Sequence, residues 1–145
     1  MAANLLPNVV PGYPFTPTPD LSDLQTRERL SQSAAHGFFA ILDKWQVSIE
    51  KGGELLGGRP RSSMYKLKTA AGTLTQDEMT RISYTVGIFT ALRLILPDNL
   101  ADLWVTRPNN DPLFAGRAPL EFMIKEGIPG LQQVRSLLDS ARGGR

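Results

Sequence analysis

The chain has 145 residues, 41% hydrophobic and 21% charged, a composition suited to a folded domain of ordinary size. It has no cysteine, which excludes disulfides and thiolate metal sites. The formal net charge of +2 says little about partners, but its distribution says more: Leu55 to Gln76 contains no acidic residue, while Arg59, Arg61, Lys66 and Lys68 all fall within it.

Residues 1–20 hold Pro7, Pro11, Pro14, Pro17 and Pro19. Proline fixes φ and removes a backbone donor, so this spacing predicts an extended, flexible arm rather than a helix or a central strand. Its apolar residues (Leu5, Leu6, Val9, Val10, Tyr13 and Phe15) suit part of it to lying on a surface. It lacks a basic n-region and is broken by Pro7 and Pro11, which makes it a poor signal peptide. The longest apolar stretch, Ile88 to Leu96, is interrupted by Thr90 and Arg93 and is too short to span a bilayer. A soluble cytoplasmic protein is expected.

From Asp20 onward the pattern is helical. Leu30, Ala34, Phe38, Ile41, Leu42 and Trp45 recur at three- and four-residue steps, one apolar stripe on a helix ending near Trp45. Ser48 is placed to cap a short helix through Ile49, Leu55 and Leu56, which Gly57 and Gly58 stop. Pro60 suits the first turn of the next helix, which carries Met64, Leu67 and Ala71 inward and runs out at Gly72. Thr75 and Glu78 form a T-x-x-E capping box. The helix that follows has Met79, Ile82, Val86, Phe89, Leu92 and Leu96 in register, and Ile88, Leu94 and Ile95 make its second half apolar nearly all round. Such a helix belongs at the centre of the fold or in a dimer interface, and Arg93 within its apolar arc needs a carboxylate or carbonyl partner.

Pro97 ends that helix, and Asp98 is placed to cap the next, which holds Leu100, Leu103 and Trp104. A turn-rich loop follows from Arg107 to Pro119. Pro119 opens a helix closed by Gly127, and Pro129 opens the last, with Leu131, Val134, Leu137, Leu138 and Ala141 as its stripe. No alternating strand pattern occurs, so the predicted fold is all-α. It divides into an arm (1–20), a helix-turn-helix and dimerisation region (21–96) and a C-terminal helical region (97–145).

Catalytic readings find little support. The single histidine, His36, sits in an Ala-Ala-His-Gly-Phe-Phe helical context without a nucleophile motif. Metal sites would need several His, Cys or clustered carboxylates, and the paired Gly52-Gly53 and Gly57-Gly58 make neither a P-loop nor a dinucleotide fingerprint. No catalytic residue, metal site or cofactor is expected. The helix-turn-helix reading is stronger: Ile49–Leu56, the turn Gly57-Gly58-Arg59-Pro60 and Ser62–Thr69 have suitable lengths. With Met64 and Leu67 inward, Ser62, Tyr65, Lys66 and Thr69 face outward, where short hydroxyls and a lysine can approach base edges while Arg59, Arg61 and Lys68 hold phosphates. An ordinary amphipathic helix pair with a solvated basic side fits the same pattern.

The C-terminal loop carries a more specific signal. Trp104-x-x-x-Pro108-Asn109, then Leu113-Phe114-Ala115-Gly116-Arg117-Ala118-Pro119-Leu120-Glu121, with Val134 and Leu138 following, resembles the toxin-binding domain of the Xre/MbcA/ParS antitoxin family. That family shows W-x-x-x-P-N…L-F-G-G-R-x-P-L-E and a helix with V-x-x-x-L; Ala115 stands where a second glycine is usual. Upstream, Leu55-Leu56-Gly57-Gly58-Arg59-Pro60-Arg61-Ser62 and Leu74-Thr75-Gln76-Asp77 are similar to its Xre-type helix-turn-helix half. The resemblance runs from about Phe38 to Gly144. It implies a homodimeric antitoxin that binds a RES-domain toxin, covers its NAD⁺ pocket, and represses its own operon by binding operator DNA. It also implies that Asn109, Phe114, Arg117, Arg135 and the segment Arg142-Gly143-Gly144-Arg145 face the toxin. A stand-alone transcriptional regulator is the alternative.

Overall fold

In the computed structural model, which describes residues 19–70 and 72–143, Asp23 starts the first helix by accepting a hydrogen bond from the Thr26 amide at 3.0 Å. The expectations for the proline-rich segment up to residue 18, for Ala71, and for Gly144 and Arg145 lie outside the described residues. Helix α1 spans Leu24–Trp45 and buries Ala35, Phe38, Phe39, Ile41, Leu42 and Trp45 along one side. Helix α2 (Ile49–Leu55) begins where the Ser48 hydroxyl accepts from the Lys51 amide at 3.1 Å. The chain then turns through Gly57 and Gly58 at φ 100° and 106°, values that side chains of L-residues resist.

Helix α3 spans Arg61–Thr69 and buries Met64 and Leu67. Pro60 stands just before it as the N-cap, at φ −62°, rather than inside the first turn; its fixed φ suits either position. The loop after α3 is tied back to α1 by Ser31, whose hydroxyl donates to the Arg27 carbonyl and accepts from the buried Leu74 amide at 2.9 Å. Helix α4 (Gln76–Ile95) opens on the full Thr75/Glu78 capping box. Helices α5 (Asp98–Trp104), α6 (Pro119–Glu126) and α7 (Ile128–Arg142) complete an all-α fold, with no strand among the described residues.

Helix α4 packs against α1, α5 and α7 and so occupies the centre of the fold. Its buried line is Met79, Ile82, Thr85, Ile88, Ala91 and Leu92. Val86, expected inward, is exposed, and Phe89 and Leu96 are only partly buried. Three-residue steps wind this buried line around the helix, in keeping with cover from α1, α5 and α7 on different sides, and Thr85 tolerates burial because its hydroxyl donates to the Arg81 carbonyl at 2.8 Å. Arg93 has the carboxylate partners its position demands: Asp102 at 2.6 Å and Asp98 at 2.9 Å, with the Phe89 ring centroid 4.6 Å from its guanidinium carbon. That pairing takes the Asp98 side chain away from capping. Pro97 occupies the N-cap of α5 and gives no side-chain cap.

On α5 it is Ala101 that is buried, followed by Val105, while Leu100 and Leu103 point to solvent. One hydrophobic core runs from Ala35 on α1 to Leu138 on α7. The expected division between residues 96 and 97 therefore falls between helices that share a core. No helix among the described residues is long and apolar enough to cross a membrane.

Candidate functional site

Two surfaces of this bundle concentrate the residues singled out in the sequence. The first is the outer face of α3. Arg61, Ser62, Tyr65, Lys66, Lys68 and Thr69 are all exposed, because Met64 and Leu67 turn the opposite side into the core. Arg61 reaches Glu50 on α2 at 2.9 Å and lies 5.5 Å from the Tyr65 ring centroid, whereas Lys68 sits 5.9 Å from the Phe39 ring. No carboxylate pairs with Lys66 or Lys68 among the described residues, so both ammonium groups are available to a polyanion.

Arg59 is placed differently. Its Nε and Nη2 donate to the two oxygens of Glu78 at 2.8 Å each, and Nη1 donates to the Ser63 hydroxyl at 2.7 Å. The Arg59 and Glu78 side chains are only 20% and 11% exposed. A guanidinium with three nitrogens engaged inside the fold has little left to give a phosphate, so the geometry moves Arg59 from the reading face to the support beneath it. Glu78 also accepts from the Thr75 amide at 3.0 Å. Burial pushes its carboxyl up, but the hydrogen bonds from Arg59 and Thr75 outweigh this and hold it below the ordinary value. The capping box thus doubles as the anchor of the α2–α3 turn, a role that needs the fold to be seen.

The second surface is built on the loop between α5 and α6. The Asn109 amide donates to the Arg117 carbonyl at 3.1 Å, and the Gly116 amide donates to the Asn109 carbonyl at 2.9 Å, closing the loop at its neck. Inside it, the Asn109 side chain accepts from the Asp111 amide and the Asp111 carboxylate from the Leu113 amide, both at 2.9 Å. These are Asx turns that explain why Asn and Asp stand at those positions. Ala115 and Gly116 both take positive φ, 52° and 88°. The Arg117 Nε donates to the Phe114 carbonyl at 3.1 Å, and its guanidinium lies 5.3 Å from the Phe122 ring centroid.

Phe114, expected to meet a partner, is fully buried. It packs edge-on between Trp104 and Phe122, with centroid distances of 5.6 and 5.4 Å, and so holds the loop's shape with no surface left to offer. Arg135 on α7 is half-buried: it pairs with Asp139 at 3.1 Å and lies across Gly87 of α4, where any side chain would collide with its guanidinium. Arg142 is exposed, 3.6 Å from Asp139, and Gly143 follows it at the surface.

The structure thus places Asn109, Arg117, Arg135 and Arg142 on the C-terminal half, and Arg61, Ser62, Tyr65, Lys66, Lys68 and Thr69 on α3. Sequence reasoning missed Leu100 and Leu103, 50% and 37% exposed on α5 beside the loop. Their i, i+3, i+4 spacing with Trp104 reads as one ordinary buried face, so the sequence held no signal of their exposure. Among the described residues no cluster of three or more His, Asp or Glu side chains could hold a metal ion.

Residues 91–144 match the family described as the antitoxin Xre/MbcA/ParS C-terminal toxin-binding domain. Over 108 residues, covering 74% of this chain and 82% of the relative, the chain is 38% identical to an uncharacterized protein, y4oB, of Sinorhizobium fredii. No solved structure matches the chain.

Proposed function

Because the chain belongs to the Xre/MbcA/ParS antitoxin family, we propose that it neutralises a RES-domain toxin by covering the toxin's NAD⁺-binding active site. The observation that carries this reading is the toxin-binding-domain match over residues 91–144, which spans the closed Asn109–Arg117 loop and α7. Helix α7 docks on the toxin in this account, and the segment from Arg142 to Arg145 reaches the NAD⁺ site. The protein is a cytoplasmic binding protein rather than an enzyme, a homodimer within a larger toxin complex.

The test is deletion of Gly143–Arg145 in cells that co-express the toxin. Binding should survive and toxicity should return. Full protection by the truncated chain would mean that docking alone suffices and that the segment is not the inhibitor.

A second activity is favoured by the α3 face, with exposed hydroxyls beside Lys66 and Lys68. On this reading α3 enters the operator's major groove through Ser62, Tyr65, Lys66 and Thr69, while Arg61 and Lys68 touch phosphates, and the antitoxin represses its own operon. A stand-alone regulator shares this face but has no toxin; an adjacent gene for a RES-domain protein distinguishes the two.

A further inference from the structure

Helix α5 leaves Leu100 and Leu103 in solvent although Ala101 and Val105 beside them are buried. Together with Leu96, Trp104, Arg107 and Asn109 they line a hollow of about 220 Å³. A second hollow of about 280 Å³ shares some of these residues and is lined further by Ile95, Leu137, Leu138 and Ala141. Leu96, Trp104 and Asn109 line both hollows, so the two adjoin along one shallow trough. The trough begins on the outer face of α5 and ends on the last turn of α7, next to Arg142. Its lining is largely apolar, and Arg107 at its α5 end has no ion-pair partner among the described residues.

We infer that this trough receives an apolar stretch of the toxin's surface, with an acidic toxin side chain set against Arg107. This rests on the toxin-binding reading above and extends it from α7 to α5. Two features point to the toxin rather than to another occupant. All the residues named as lining it lie within residues 91–144, the span matched by the toxin-binding domain. The trough is also continuous with the Asn109 loop at one side and with the α7 terminus at the other, so one partner seated on both must cover it. Exposed leucines around a partly buried tryptophan fit the usual anatomy of a contact centre, where a few apolar anchors carry most of the affinity.

The experiment measures affinity of the full chain for a purified RES-domain protein encoded beside its gene, and the absence of such a gene counts against the toxin reading. Two exposed leucines can become glutamates without disturbing the core, so the L100E/L103E variant should keep the wild-type circular dichroism and melting temperature. It should bind on the order of 100-fold more weakly, as expected when central apolar anchors are replaced by charges. R107E, a milder surface change, should weaken binding about 10-fold by the loss of one ion pair and the gain of a repulsion. L24E, at a leucine 53% exposed on α1, should bind like wild type. If the wild-type chain does not bind the RES-domain protein, the toxin reading itself fails. If it binds and L100E/L103E and R107E bind equally well, the trough inference is overturned while the toxin reading stands. If L100E/L103E binds normally but converts a wild-type dimer into a monomer in light scattering, the trough is a self-association face and the inference is equally overturned.

Discussion

Arg59 and Glu78 are joined by two parallel hydrogen bonds of 2.8 Å, which clamp the turn before α3 to the first turn of α4. The presented face of α3 therefore depends on an ion pair behind it. Arg59→Ala would leave the Glu78 carboxylate largely buried and with only the Thr75 amide as partner. The expected cost is about 2 kcal/mol, read as a lowered urea midpoint, since an unpaired buried charge loses its compensation. A direct phosphate contact would instead lower DNA affinity at unchanged stability, so the two roles separate in one variant.

The same pair sets an acid response. Glu78 has its carboxyl held below the ordinary value in the folded chain, so its contribution is fully present above the unfolded carboxylate range. That contribution is lost as pH falls through the folded value, because the unfolded chain then takes up protons first. Wild-type stability should decline below about pH 4.5, and Glu78→Gln should decline less steeply from a lower starting point. Parallel acid titrations of the two proteins would mean that Glu78 does not contribute in this way.

Ala115 occupies the left-handed region at φ 52°, followed by Gly116 at φ 88°. A Cβ costs about 1 kcal/mol in this region, and Ala115 is exposed, so nothing around it offsets the strain. Ala115→Gly should raise stability by about 0.5–1 kcal/mol in urea unfolding. A neutral or destabilising result would show that the loop is not strained there.

The residues that could be read in advance share one property: their partners are close in sequence. Ser48, the Thr75/Glu78 box, Gly57–Gly58 and Pro119 act within a turn of chain, and each stands where local chemistry places it. Arg93 announced its need for a carboxylate or carbonyl partner without naming Asp98 or Asp102. What could not be read is which apolar side meets a neighbour. Val86 and Thr85 exchange roles on α4, Leu100 and Leu103 face outward, and Phe114 faces inward, because burial is decided by α1, α6 and α7 rather than by periodicity. Arg59 belongs to the same class, since a basic window in the sequence does not reveal that Glu78 waits nineteen residues on.

On the α3 face, Arg61→Ala and Lys68→Ala together should weaken operator binding evenly across sequences. The slope of log affinity against log salt should become shallower by about 2, one phosphate contact for each cation. Lys66→Ala should instead reduce discrimination between operator and unrelated DNA. Retention of full affinity by the double variant would remove this face from the interface.

We propose that this chain silences a RES-domain toxin by closing its NAD⁺ site. This is tested most directly by following NAD⁺ consumption by the purified toxin while the full-length chain is titrated in. Turnover should fall to background at the stoichiometry of the complex and return when Gly143–Arg145 are deleted from the bound chain. A toxin that binds the full-length chain and consumes NAD⁺ at its unhindered rate would contradict it.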